Sequence, residues 1–202
     1  MVTITIDDVR NTLARRSTSG AAVLIPLWST DAGLEVLLEQ RALDLDIQPG
    51  EVCLPGGHVE SGESPQQAAV RETCEELLIP AKSVHIIGDL GQQPGPGGMP
   101  LWVFVGKLDH YCGTFSTDEV DHTFTLPVPW LLEHEPKVFD VPLTATYPHD
   151  LPWDRIPHGH AYPWRTPRYS VPFYLDTNPL VWGVTARILH LFSRTLREGL
   201  NL

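Results

Sequence analysis

The chain has 202 residues, 42% of them hydrophobic and 19% charged, with a formal net charge of −11 at pH 7. This length fits one domain with a substantial core over 1–202, and no stretch approaches the roughly 18 uninterrupted apolar residues of a membrane span. The acidic balance repels polyphosphate backbones, so nucleic acid is excluded as the expected partner, and an anionic substrate must be met by metal ions or local arginines.

Met1 to Arg10 has no apolar run after a basic start, so no secretory signal is read there and a soluble, cytoplasmic protein without a membrane partner is expected. Val9 and Leu13 recur at helical spacing between Thr5 and Arg16, which predicts a short amino-terminal helix. Ala21 to Leu27 and Leu34 to Gln40 read as a strand hairpin across the turn-rich Ser29 to Gly33. Cys53, Cys74 and Cys112 lack paired short spacing, which points to small buried residues rather than a disulfide frame or a zinc site. Val84 to Leu90 and Leu101 to Leu108 form a second strand pair. The glycines between them lack the Lys-Ser/Thr and following helix of a phosphate cradle, so a plain hairpin loop is expected.

From 133 to 174, prolines, tryptophans and histidines crowd a segment without a clean period, which predicts an irregular lobe suited to a substrate-binding flap. His158 and His160 have no evident third ligand and are read as solvated loop residues. Leu180 to Leu196 is predicted as a long helix, with Asn178 as cap, Pro179 at the first helical position and an apolar stripe of Val181, Ile188, Leu189, Phe192 and Leu196.

Gly50 to Pro80 is the stretch that carries chemistry. Ser64 caps a predicted helix, Pro65 opens it, and Gln67 completes a capping box. Val70, Cys74 and Leu77 share one face. At about 100° per residue, Glu72, Glu75 and Glu76 fall on the opposite side within an arc of roughly 100°. Carboxylates at this spacing repel, so they serve either as a solvated acidic face or as oxygen ligands for Mg²⁺ or Mn²⁺.

Gly57, Glu63, Arg71, Glu72, Glu75 and Glu76, ending in Ile79, fall in the register G-x5-E-x7-R-E-U-x-E-E-x-G-U, where U is bulky and aliphatic. This pattern resembles the Nudix box. It departs at Thr73, where an aliphatic residue is usual, and at Leu78, where the box has glycine. With Pro80 following, Leu78 predicts a helix exit other than the left-handed turn that glycine allows. The resemblance implies an α/β Nudix fold, an α/β/α sandwich around a mixed sheet. It further implies metal binding by Glu72, Glu76 and the Gly56 carbonyl, with Glu75 as a further ligand or proton acceptor, and support from Gly57 and from a Glu63 to Arg71 pair. Glu119 is the candidate for a remote catalytic carboxylate, although an acidic loop between two elements explains it equally well.

Leu37-Leu38-Glu39-Gln40-Arg41, Gly50 to Gly57, Val171 to Tyr174 and Val181 to Leu189 are similar to segments of the coenzyme A pyrophosphatase branch. This implies a small-molecule nucleoside diphosphate substrate, coenzyme A first and ADP-ribose as the alternative, with Arg41 holding phosphate and Tyr162 or Trp164 stacking on adenine. A homodimer is the self-association considered. Asp46 and Gln48 stand where that branch has an arginine and a histidine, which implies weaker recognition of the 3′-phosphate. A non-catalytic binding protein and an isomerase of the same fold are the competing classes. The intact carboxylates speak against the first, and the second would need an acid/base pair suited to carbon chemistry.

Overall fold

The computed structural model describes residues 20–144, 146–164 and 168–202. The helix expected between Thr5 and Arg16 lies outside the described residues. Strands β1 (Ala21–Thr30) and β2 (Gly33–Arg41) form the expected hairpin. Their consecutive apolar residues are buried on both faces, the pattern of strands covered by helices on either side. Strands β3 (Val52–Cys53), β4 (Gly56–His58), β5 (Val84–Pro94), β6 (Pro100–Leu108) and β7 (Val120–Pro127) complete a seven-stranded sheet. It is mixed, because β1 runs parallel to β6 while β2, β3, β4, β5 and β7 pair antiparallel with their neighbours. β5 and β6 pair antiparallel as expected, joined by a short turn through Pro96–Gly98.

Helix α1 (Pro65–Leu77) has the capping box, with the Ser64 hydroxyl accepting from the Gln67 amide and the Gln67 side chain accepting from the Ser64 amide. Ala68 and Ala69 pack on Ala22 of β1, and these small residues let helix and sheet approach closely. The buried strip of α1 is Ala68, Ala69, Thr73, Glu76 and Leu77. Val70 and Cys74, expected to lead the apolar face, are only partly buried at its margin. Thr73 tolerates its aliphatic position because its hydroxyl donates to the Ala69 carbonyl at 2.7 Å.

Leu78 corrects the expected exit. It adopts φ 53° and ψ 44°, the left-handed turn itself, and its amide donates to the Cys74 carbonyl. Its side chain is exposed, so Leu78→Gly loses little burial and relieves backbone strain of about 1–2 kcal/mol. Glycine's larger unfolded-state entropy offsets roughly 0.5–1 kcal/mol of that gain. The expected result is a Tm raised by about 1–4 °C in scanning calorimetry; a lowered Tm would contradict this account of the turn.

On the opposite face of the sheet lie α2 (Val128–Glu133) and α3 (Gly183–Leu200), whose Leu131, Ile188, Leu189 and Phe192 pack on Ile25, Val36, Leu38 and Val103. This makes the α/β/α sandwich. The start of α3 corrects the sequence reading. Val181–Trp182 is a short strand, β10, paired with β9 (Arg168–Tyr174), and Asn178 caps no helix. The Thr177 hydroxyl accepts the Val181 amide and Trp182 is extended, so helical geometry begins only after Gly183 turns at φ 65°.

The 133–174 segment is more regular than its composition implies. Strand β8 (Lys137–Pro142) pairs with β9, and β10, β9 and β8 form a three-stranded sheet. Every residue of β8 is exposed, and its apolar residues Val138, Phe139 and Val141 do not alternate strictly with polar ones, so no strand period marks it in the sequence. Among the described residues, no helix is long and apolar enough to cross a membrane.

Candidate active site

Strands β1 and β2 pair only near their turn, from Thr30 opposite Gly33 to Leu27 opposite Val36. Beyond it they part. β4 pairs with the first residues of β1, and β3 with the last residues of β2. A cavity of about 730 Å³ opens at this divergence, walled by β1, β3, β4, α1, the β5–β6 turn and the start of α3. Arg41, Gly56, Gly57, Glu72, Glu76 and Glu119 all line it. Helix spacing and chain topology thus bring together residues from four separate segments.

Glu76 is 3% exposed, and its Oε2 accepts the Gly56 amide at 2.9 Å. Burial, reinforced by the neighbouring Glu39 carboxylate, pushes its pKa well above the ordinary 4.5. Glu72 is half-buried and is raised as well, first by burial, against the lowering effect of Arg71. A Cβ added at Gly57 would meet the Glu72 carboxylate at 2.3 Å, so a larger residue there would push that side chain aside. The loop therefore lies directly on the helix carboxylates.

Arg71 fixes loop against helix. It donates to both oxygens of Glu63 at 2.8 and 3.2 Å and to the His58 carbonyl at 3.2 Å, and it pairs with Glu72 at 3.0 Å and Glu75 at 3.2 Å. Hydrogen bonding to Arg71 holds the Glu63 carboxyl below its usual range. Glu75 is absent from the described cavity lining, and its side chain is 58% exposed beside Arg71. Glu75, expected as a further ligand or proton acceptor, thus stands apart from Glu72 and Glu76. A single turn of helix aims Glu72 and Glu76 inward and carries Glu75 out.

Glu119 is held in place by the end of α1. The Ser116 amide donates to the Glu76 carbonyl at 2.7 Å, the Thr114 hydroxyl donates to the Leu77 carbonyl at 2.6 Å, and the Ala42 amide donates to the Glu119 carbonyl at 2.9 Å. Arg41 reaches the cavity with its Nε donating to the Ile47 carbonyl at 3.3 Å. Tyr162 and Trp164 are not among the described lining residues; they pack against each other and, through Trp164, against Tyr147 in an aromatic cluster of the lobe. Tyr169 and Trp182 stand at the cavity instead. His160 stacks on Trp153.

A family model, the NUDIX domain, matches residues 18–164. The chain belongs to the Nudix family. It is 30% identical over 179 residues to Nudix hydrolase 3 of Caenorhabditis elegans, covering 85% of this chain and 71% of the relative. It is 34% identical over 185 residues to the uncharacterized Nudix hydrolase NudL of Enterobacter sp. (strain 638), covering 89% and 82%. It is 30% identical over 190 residues to the mitochondrial coenzyme A diphosphatase NUDT8 of Homo sapiens, covering 92% and 72%. It is a Nudix hydrolase, acting on pyrophosphate bonds of nucleoside diphosphate derivatives.

Nudix hydrolases generally use divalent metal ions. The cavity suits a hard cation because its donors are carboxylate oxygens, and buried Glu76 has a single amide to offset its charge. Among the described residues, no three His, Cys, Asp or Glu side chains already converge on one point, and Glu72 pairs with Arg71 at 3.0 Å. Sequence reading missed Glu39, Glu51, Tyr169, Trp182 and the turn residues Pro96, Gly97 and Met99 around this cavity. Strand period could have found Glu39, which shares the inward face of β2 with Leu37.

These shifts give a pH prediction. A carboxyl whose folded pKa is raised binds more protons in the folded than in the unfolded state at pH values above the ordinary 4.5. Stability without metal therefore falls as pH rises from about 5 through neutrality. Tm in chelator should decline across that window, and saturating Mn²⁺ should flatten the decline; a Tm that rises with pH in chelator would contradict the buried carboxylate pair.

Proposed function

We propose that this Nudix hydrolase cleaves the diphosphate of coenzyme A or an acyl-coenzyme A. Water attacks one phosphorus and the bridging P–O bond breaks, giving 3′,5′-adenosine diphosphate and (acyl-)4′-phosphopantetheine. The thiol or thioester end stays intact. The observation that carries this reading is the shared cavity, where Glu72, Glu76 and Glu119 face the same space as Arg41. Similarity to the human coenzyme A diphosphatase along most of the chain supports the substrate.

Glu72 and Glu76 would hold Mg²⁺ or Mn²⁺, which supplies charge neutralisation at the diphosphate and acidifies the attacking water. Glu119, which lines the same cavity on a loop bonded to the helix end, would accept the water's proton. Arg41 would bind a phosphate oxygen from the cavity wall. Arg71 and Glu63 keep loop and helix in register, and Glu75 acts by steadying Arg71.

The lining carries the carboxylates of Glu51, Glu60, Glu72, Glu76 and Glu119 but a single arginine among its described residues, Arg41. Gln48 lines it without a charge. Little cationic support is therefore left for a 3′-phosphate. The test is kcat/KM for coenzyme A, 3′-dephospho-coenzyme A and ADP-ribose under one metal condition. The expected result is less than about tenfold difference between the first two, since Arg41 is the one arginine among the described lining residues. A clear preference for ADP-ribose would reject the substrate, and a strong preference for the 3′-phosphate would reject the reading of Asp46 and Gln48.

A further inference from the structure

Glu39 belongs to no motif of the box, yet it is one of the most deeply buried charged side chains in the protein, 1% exposed on β2. A buried carboxylate ordinarily has its oxygens hydrogen-bonded. Among the described residues, Oε1 has no hydrogen-bond partner, and Oε2 has only the Cys53 thiol, a weak donor at 4.0 Å. Cys53 sits opposite Glu39 in the β2–β3 pairing and itself lines the cavity. The charge of Glu39 is felt at Glu76, and that of Glu119 is felt at Glu39. Arg41, two residues along the same strand face, is the cation that acts on it. Glu39 thus lies behind the cavity wall, beneath the carboxylates that face the substrate.

Packing alone gives no reason for a carboxylate at that position, because an apolar side chain of similar volume would avoid the desolvation cost. We propose that Glu39 is a positioning residue of the cation centre: its charge, left without a hydrogen-bond partner on Oε1, strengthens cation binding at the Glu72 and Glu76 face of the cavity. This rests on reading Glu72 and Glu76 as the cation ligands.

The test is calorimetric titration of the full chain with Mn²⁺ alone, for the parent and for Glu39→Gln, alongside Tm in chelator. The expected result is an affinity lowered by about 10- to 100-fold, the range for residues that support a metal's direct ligands, with Tm in chelator equal to the parent's or higher. A residue with only a structural role would lower Tm in chelator and leave Mn²⁺ affinity unchanged. If the Gln variant does not fold, Glu39→Met provides the same comparison. Parent-like affinity in either folded variant overturns the proposal, and so does failure of both to fold, since the carboxylate would then be needed by the fold itself. A parent that binds no Mn²⁺ would instead remove the reading of Glu72 and Glu76.

Discussion

Glu76→Gln should lower turnover at least about a hundredfold at saturating Mg²⁺ or Mn²⁺, a loss of about 2.7 kcal/mol of transition-state stabilisation. Glutamine keeps the shape of the side chain, and its carbonyl can still accept the Gly56 amide that Glu76 accepts at 2.9 Å. What disappears is one negative charge in a nearly water-free position, 3% exposed. A charge there costs solvation and is tolerable only if a cation compensates it, so removing it should spare the fold while removing affinity for the ion. The check is a pair of measurements, kcat at saturating metal and Tm in chelator. A Gln variant with the parent's rate would show that α1 does not carry the chemistry.

Arg71→Ala should damage both stability and activity, because one guanidinium serves Glu63, Glu72, Glu75 and the His58 carbonyl. Its loss leaves Glu63, Glu72 and Glu75 without their shared cation, and Tm should fall by roughly 2–10 °C. The loop bearing Gly56 and Gly57 would then no longer be tied to the helix, and kcat/KM should fall by about 10- to 100-fold. Arg71→Lys should recover little of this, since an ammonium cannot bridge both Glu63 oxygens while reaching Glu72. An unchanged Tm with an unchanged rate would remove the framing role of Arg71.

Much of this site was legible because its devices are local. The Ser64, Pro65 and Gln67 start of α1 and the spacing of Glu72 and Glu76 lie within a few residues of one another, where helical period dictates geometry. The β1–β2 and β5–β6 hairpins were legible for the same reason. What escaped depends on partners distant in sequence. Trp182 reaches the cavity because β10 pairs with β9, and that pairing also delays α3 to Gly183 despite a plausible cap at Asn178. Strand β8 is exposed throughout and leaves no alternation to read. Tyr162 and Trp164 have the chemistry of a stacking platform, but neighbouring aromatics of the lobe take them up. Leu78 obeys the turn geometry rather than its own preference, because the Schellman-type bonds to the Cys74 carbonyl fix the helix end.

The most direct test is product identification by mass after incubating the full chain with coenzyme A in Mg²⁺, in Mn²⁺ and in chelator. The account predicts 3′,5′-adenosine diphosphate and 4′-phosphopantetheine in equal amounts with either metal, and neither product in chelator or with Glu76→Gln. Equal rates with and without metal, or intact coenzyme A after long incubation with metal, would contradict it.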